Sequence, residues 1–210
     1  MDLVTRERMG SYLSAVHGDL ELAFARYEWN IEASASVIGL SSVVEVVVRN
    51  AIDRELTAWA ERVHGVGASW FDQAPLDPKG RRDLENARSR ATQHGRNREI
   101  HGKVIAELSL GFWRYLVESR YHTSLWVPAV HRAFSDGPKD LRLRRGQVAL
   151  QMQQLQFVRN RAAHHEPIHR RDLNKDMTAA EGLMRWVSPD AAAWMAAVCS
   201  LREVIARKPR

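Results

Sequence analysis

Prolines and glycines, seven and twelve in a chain of 210 residues, gather at a few places, and the long intervals between them are rich in Ala, Leu, Glu and Arg. This punctuation constrains the fold more than any other feature, because such intervals suit helices. No stretch alternates polar and apolar residues as a half-buried strand would. The expected class is therefore all-α, in one domain over residues 1–210.

Helix boundaries follow from caps and breakers. A first helix is expected from Thr5 to His17, stopped by Gly18, with Asp19 capping a second. Leu20, Ala23, Tyr27, Ile31 and Ser34 then recur at helical steps to about Ile38. Gly39 and Ser41-Ser42 offer a break and a new cap, with a third helix running to about Val63. His64 to Gly80, with two prolines and three glycines, reads as a long loop. Further helices are expected at Arg81 to Gln93, Glu99 to Glu107, Trp126 to Phe134, Leu141 to His165, Thr178 to Val187 and Asp190 to Ala206. Gly111 marks either a close helix contact or a break.

Composition narrows the setting. With 45% hydrophobic and 27% charged residues, the chain is globular, and its size is ample for a core. The start, Met1 to Arg6, lacks the order of a signal peptide. The most apolar stretch, Val43 to Arg49, is interrupted by charge before it reaches the length of a bilayer. One cysteine, Cys199, forbids an intramolecular disulfide and suits a reducing compartment, so no membrane and a cytoplasmic address are expected. Of the seven tryptophans, Trp29, Trp59, Trp113, Trp186 and Trp194 are expected in the core, and Trp70 and Trp126 are candidate surface aromatics.

The net charge of +6 is concentrated. Between Lys139 and Lys175 lie nine basic residues and three acidic ones, an excess equal to the whole net charge. A basic segment of this kind suits either a solvated face or a polyanion. If the partner is a nucleic acid, Arg142, Arg144, Arg145, Arg161, Arg170 and Arg171 are the candidate backbone contacts and set the salt dependence.

Within that window, Leu155, Val158 and Ala162 form a core stripe flanked by Arg159, Asn160, His164 and His165. Asn160 and His164 share a face, and Arg159 can reach round to them. An arginine binds phosphate bidentately, and a histidine moves protons near neutrality. Upstream, Glu45, Arg49 and Asn50 interrupt a nearly all-apolar helix. Glu45 and Arg49 can pair with each other, or the group can serve as partners of Arg159 and His164. A metal reading of His165 and His169 is disfavoured by the intervening Pro167. Arg81-Arg82, Arg96 and Arg98 read as solvated.

These residues carry a resemblance. Arg159-Asn160-x-x-x-His164 resembles the R-N-x-x-x-H signature of the HEPN superfamily. Three blocks resemble its Abi-like (abortive infection) branch: Arg26 to Asn30 with Val44 to Ile52, Glu107 to Trp113, and Val158 to Pro167. Together they span about residues 12–175. The resemblance implies a helical bundle with additional helices and a metal-independent endoribonuclease with no cofactor. It also implies a homodimer whose two Arg159-Asn160-His164 sets share one cleft. In that reading His164, or His165 in its place, moves protons during attack of a 2′-hydroxyl on the adjacent phosphate. Arg159 stabilises phosphate charge, Asn160 orients, and Glu45, Arg49 and Asn50 support them. The product is a 2′,3′-cyclic phosphate, and the setting is antiphage defence or a toxin silenced by an RNA or protein antidote. A non-catalytic RNA-binding or protein-interaction helical module, and a plain structural bundle, are the other readings of the same residues.

Overall fold

The computed structural model describes residues 4–209; Met1 to Leu3, on which part of the signal-peptide reading rests, and Arg210 lie outside. The described chain is all-α, with ten α-helices and no strand among these residues. α1 (Arg6–Ala15) is capped by Thr5, whose hydroxyl accepts from the Arg8 N–H. α2 (Leu20–His64) is capped by Asp19, which accepts from the Leu22 N–H at 3.0 Å.

α2 runs for 45 residues without the break expected at Gly39. The buried row Val37, Leu40, Val44 and Val48 continues in helical register across that glycine. Packing of this kind outweighs the ~1 kcal/mol that a glycine costs a helix interior. Ser42 does not cap a new helix; its hydroxyl donates to the Ile38 carbonyl one turn back, at 2.9 Å. By length and composition α2 also meets the requirement for crossing a membrane, with an 18-residue window of mean hydropathy 1.7. The expectation from Val43 to Arg49 alone was too narrow, because the apolar run begins well before it. Here α2 is the axis of the bundle, with Trp29, Leu40, Ile52 and Leu56 among its buried residues.

The long loop contains a short helix, α3 (Trp70–Gln73), and α4 (Pro78–Ala91) starts three residues earlier than expected. Asp77 caps α4 by accepting from the Gly80 N–H at 2.9 Å, and Pro78 occupies the first helical position, where its missing N–H is no loss. α5 (His101–Glu107) and α6 (Leu110–Leu116) are separated at Leu108-Ser109, with Ser109 capping α6. Gly111 is a close contact rather than a break: a Cβ there would lie 2.9 Å from the Gln156 Nε2.

The helix expected from Trp126 to Phe134 does not form. Short 3-10 and π turns cover Ser119–Tyr121, His122–Trp126 and Val130–Phe134 instead. Pro128 lies between the last two and removes a backbone donor. α7 (Leu141–Ala163) follows, then α8 (Leu173–Val187), five residues longer at its start than expected because Asp172 caps it. The closing helix is two, α9 (Pro189–Val198) and α10 (Leu201–Ala206), parted at Cys199-Ser200. Cys199 is half-buried there against the core.

One apolar cluster reaches from Trp29 to Val204, and a smaller one of Met9, Tyr12, Val16 and Ala23 fixes α1 to the start of α2. The expectation for two tryptophans reverses. Trp70 and Trp126 are fully buried, with their indole N–H groups donating to Asp53 (2.7 Å) and to the Leu141 carbonyl (2.8 Å). Trp194, expected in the core, is half-exposed on α9.

Two buried side chains of α2 hold the far ends of the chain. The Trp29 indole donates to the Val204 carbonyl at 2.7 Å, and Asn30 accepts from the Ile168 N–H at 2.8 Å. Next to Ile168, His169 is buried, stacked on Tyr12 with ring centres 4.4 Å apart. Burial, with the nearby cations Arg170, Lys208 and Arg26, pushes its pKa down to about 4. The neutral imidazole therefore stabilises the fold fully above the ordinary histidine range, and this contribution is lost as pH falls from 6.5 towards 4. At pH 5 the loss amounts to about 2 kcal/mol. His169→Phe keeps the stacked ring and should flatten the fall in thermal midpoint between pH 7 and pH 5. An unchanged pH slope in this variant would contradict the assignment.

Candidate functional site

The three sequence blocks meet where the C-terminal half of α7 packs between α2 and the start of α6. Glu45 of α2 is half-buried, and burial pushes its carboxyl pKa up. Three neighbours act in the opposite direction: the Arg159 guanidinium of α7, the backbone N–H of Leu110 at the start of α6, and Arg49 one turn along α2. Among the described residues no contact-distance ion pair joins Glu45 to either arginine, and the Arg49 Nε is buried without a hydrogen-bond partner. Glu45 is thus close enough to both Arg159 and Arg49 for their charges to act on it, without a contact pair to either. Asn50 is exposed on a different flank of α2 and is not brought in.

Arg159 and Asn160 are both exposed, and the Arg159 Nη1 donates to the Asn160 Oδ1 at 3.3 Å. Asn160 is therefore engaged through its side chain with Arg159 and through its carbonyl with the His164 N–H at 3.0 Å. α7 ends one turn before Pro167. His164 is its exposed C-cap residue, and His165 adopts a left-handed conformation with φ +57°. The chain reverses there, just past His164 at the helix end. His165 turns towards α1 and lines a cavity of about 340 Å³ with Tyr27, Ile31 and Ile38. Its carbonyl accepts from Arg8. His169, in the buried stack with Tyr12, is in different surroundings from His165, and no cluster of three metal-ligating side chains occurs among the described residues.

The basic segment behaves differently from expectation. Arg144 is buried, and its guanidinium donates to the carbonyls of Pro138 (2.7 Å), Gly137 (3.1 Å) and His131 (3.2 Å). It is a clamp on the turn before α7 and is withdrawn from the RNA-contacting set. A guanidinium has five donors in a fixed fork, which suits it to tie several carbonyls of an irregular turn. Other members are partly occupied in the same way. Arg145 donates to the Val117 carbonyl, Arg170 to the Ser11 carbonyl, and Arg161 to the Pro167 carbonyl and to Glu166. Arg171 holds the buried carboxylate of Asp176 and covers the Phe157 ring. Arg142 is exposed, like Arg159. The charge excess is thus largely a set of intramolecular ties, and nothing in the residue counts separates a tie from a free cation.

Sequence reasoning passed over a polar cleft beside this site. It has a volume of about 400 Å³ and lies between α4, the start of α6 and Gln156 of α7. Arg114 donates to the Gln156 Oε1 at 2.7 Å across its floor. The signal available in the sequence was Gly111, whose missing Cβ admits Gln156.

Comparison with protein-family models, with curated proteins and with solved structures finds no match to this chain. Its site therefore stands on its own geometry.

Arg144→Ala leaves three carbonyls without their donor and should lower the unfolding free energy by about 2–4 kcal/mol. If RNA is the partner, the folded variant should keep the wild-type affinity for it. A stable variant with weakened RNA binding would return Arg144 to the phosphate-contacting set.

Proposed function

We propose that the chain is an Abi-like HEPN endoribonuclease, acting as a homodimer on RNA in the cytoplasm in antiphage defence or as a toxin. The observation that carries this reading is the set Arg159, Asn160 and His164, exposed together at the end of α7, with the half-buried Glu45 within charge range of Arg159. In this reading Arg159 receives the phosphate and stabilises the charge that builds on it. His164 takes the proton of the attacking 2′-hydroxyl or returns one to the leaving 5′-oxygen, and the product is a 2′,3′-cyclic phosphate. Asn160, which accepts from the Arg159 guanidinium, is a positioning residue, and Glu45 acts on Arg159 through its charge alone. No cofactor takes part, because Arg159 supplies the charge stabilisation and the 2′-hydroxyl the nucleophile.

The reaction needs a base and an acid, and each chain offers one His164. A second copy would supply the other. Two exposed rows support such pairing. Ile31, Ile38 and Val46 follow one flank of α2 beside the site, with the small Ala35 and Ser42 between them. Leu143, Leu150 and Phe157 follow the outward side of α7 at seven-residue intervals that lead on to His164. These six are between 39% and 63% exposed.

Purified protein in EDTA is expected to cut RNA to cyclic phosphate ends and to leave the all-deoxy strand intact. His164→Ala and Arg159→Ala should each lower the rate by about a hundredfold or more while remaining folded. Tight RNA binding without cleavage would replace this reading by the non-catalytic RNA-binding module. Full activity in both variants would move the chemistry elsewhere.

A further inference from the structure

We infer that the cleft between α4, α6 and Gln156 is a nucleobase subsite that sets which RNA sequences are cut. The inference rests on the ribonuclease reading for its biological meaning, but the site is argued from its own chemistry. The cleft and Arg159 are neighbours. Ser109 and Gly111 line it, while the backbone of Leu110, between them, lies near Glu45, on which Arg159 also acts. Gln156 lies four residues before Asn160 and so on the same flank of α7. A phosphate held at Arg159 therefore has its adjoining base within one helical turn of the cleft.

The cations that line the cleft are already paired, which disfavours a second phosphate there. Lys79 pairs with Asp83 at 2.5 Å, and Arg90 pairs with Glu107 at 2.8 Å. Arg114 is held by Gln156 at 2.7 Å and by Glu118 at 3.3 Å. The neutral polar groups are those with capacity left. Asn86 is exposed, with both halves of its amide available. Ser109 accepts from the Phe112 N–H and retains its hydroxyl proton, and Gln156 uses its carbonyl on Arg114 while its amino group lies over Gly111. Amide donors and acceptors beside a hydroxyl read the edge of a heterocycle, and about 400 Å³ falls in the usual range for a small-molecule site. The mixed donor and acceptor pattern discriminates among bases, since a wrong base leaves a group unpaired.

Binding is measured apart from cleavage, by titrating the wild-type protein with AMP, GMP, CMP and UMP, and with ribose 5-phosphate as the base-free probe. Amide resonances are followed, including the side-chain NH₂ groups of Asn86 and Gln156. The expected result is movement of those two signals and of Gly111 by the nucleotides but not by ribose 5-phosphate. Affinities should differ by about fivefold or more among the four bases. Asn86→Ala, at an exposed position of α4, should narrow that spread and change the distribution of cut sites in a mixed-sequence RNA. Nucleotides that move the cleft signals in a protein that cuts no RNA would keep the subsite and refute the ribonuclease reading. Cleavage with no movement of the Asn86 and Gln156 signals, and with the same cut sites in Asn86→Ala, would overturn the subsite and leave the ribonuclease reading standing.

Discussion

The continuous buried face of α2 is the constraint on which the rest of the structure depends. A helix of 45 residues is far longer than the usual three or four turns, and it persists because neighbours cover it along its length. α1, α3, α6, α7, α8, α9 and α10 all contact it. The same helix places Asn30 under the exit of α7 and Glu45 beside Arg159, about four turns apart on one rigid rod. A break at Gly39 would have uncoupled these two anchors, so continuity through that residue fixes where the end of α7 lies.

The site follows from how that end is held. Arg159 and Asn160 sit on the last turns of a rigid helix. The Ile168 N–H is fixed by Asn30, and Arg161 ties the loop at Pro167. Between these fixed points the chain turns through the left-handed His165, which lines the cavity against α2 and offers its carbonyl to Arg8 of α1, while the His164 N–H donates to the Asn160 carbonyl. The distinction between the two histidines is thus a backbone matter, set by one residue's φ. Glu45 illustrates a different balance. Its burial opposes the charged form, while Arg159, Leu110 and Arg49 favour it. The carboxyl is thus held between opposing influences, with no contact-distance ion pair to either arginine among the described residues.

The fold class and the main helices were legible because caps and breakers are local. Asp19 and Asp140 start helices where the sequence reading put them, with side chains that accept the first free N–H groups, whereas Asp77 and Asp172 do the same for α4 and α8 earlier than it expected. What was illegible depended on tertiary packing. Gly39 looks the same in sequence whether its helix is covered or bare, and Pro128 turns a helical pattern into 3-10 and π segments only in context. For the site, the closeness of Arg159, Asn160 and His164 along one helix could be read from spacing, whereas the approach of Glu45 to Arg159 depends on how α2 packs on α7. The separate fates of the basic residues could not be read, since Arg144 and Arg142, two positions apart, differ only in whether carbonyls lie within reach. The cleft was hidden because its walls come from three distant segments.

The central claim is that Arg159 and His164 act together in a site to which two copies contribute. Titrating the wild-type protein with folded His164→Ala protein, at fixed total concentration and with subunits allowed to exchange, tests it most directly, because a mixed dimer then holds only one of the two histidines that supply the base and the acid. The account predicts that activity falls as the square of the wild-type fraction, so that an equal mixture keeps about a quarter of the wild-type rate. A loss in simple proportion to the wild-type fraction, although mixed dimers are shown to form, would contradict it.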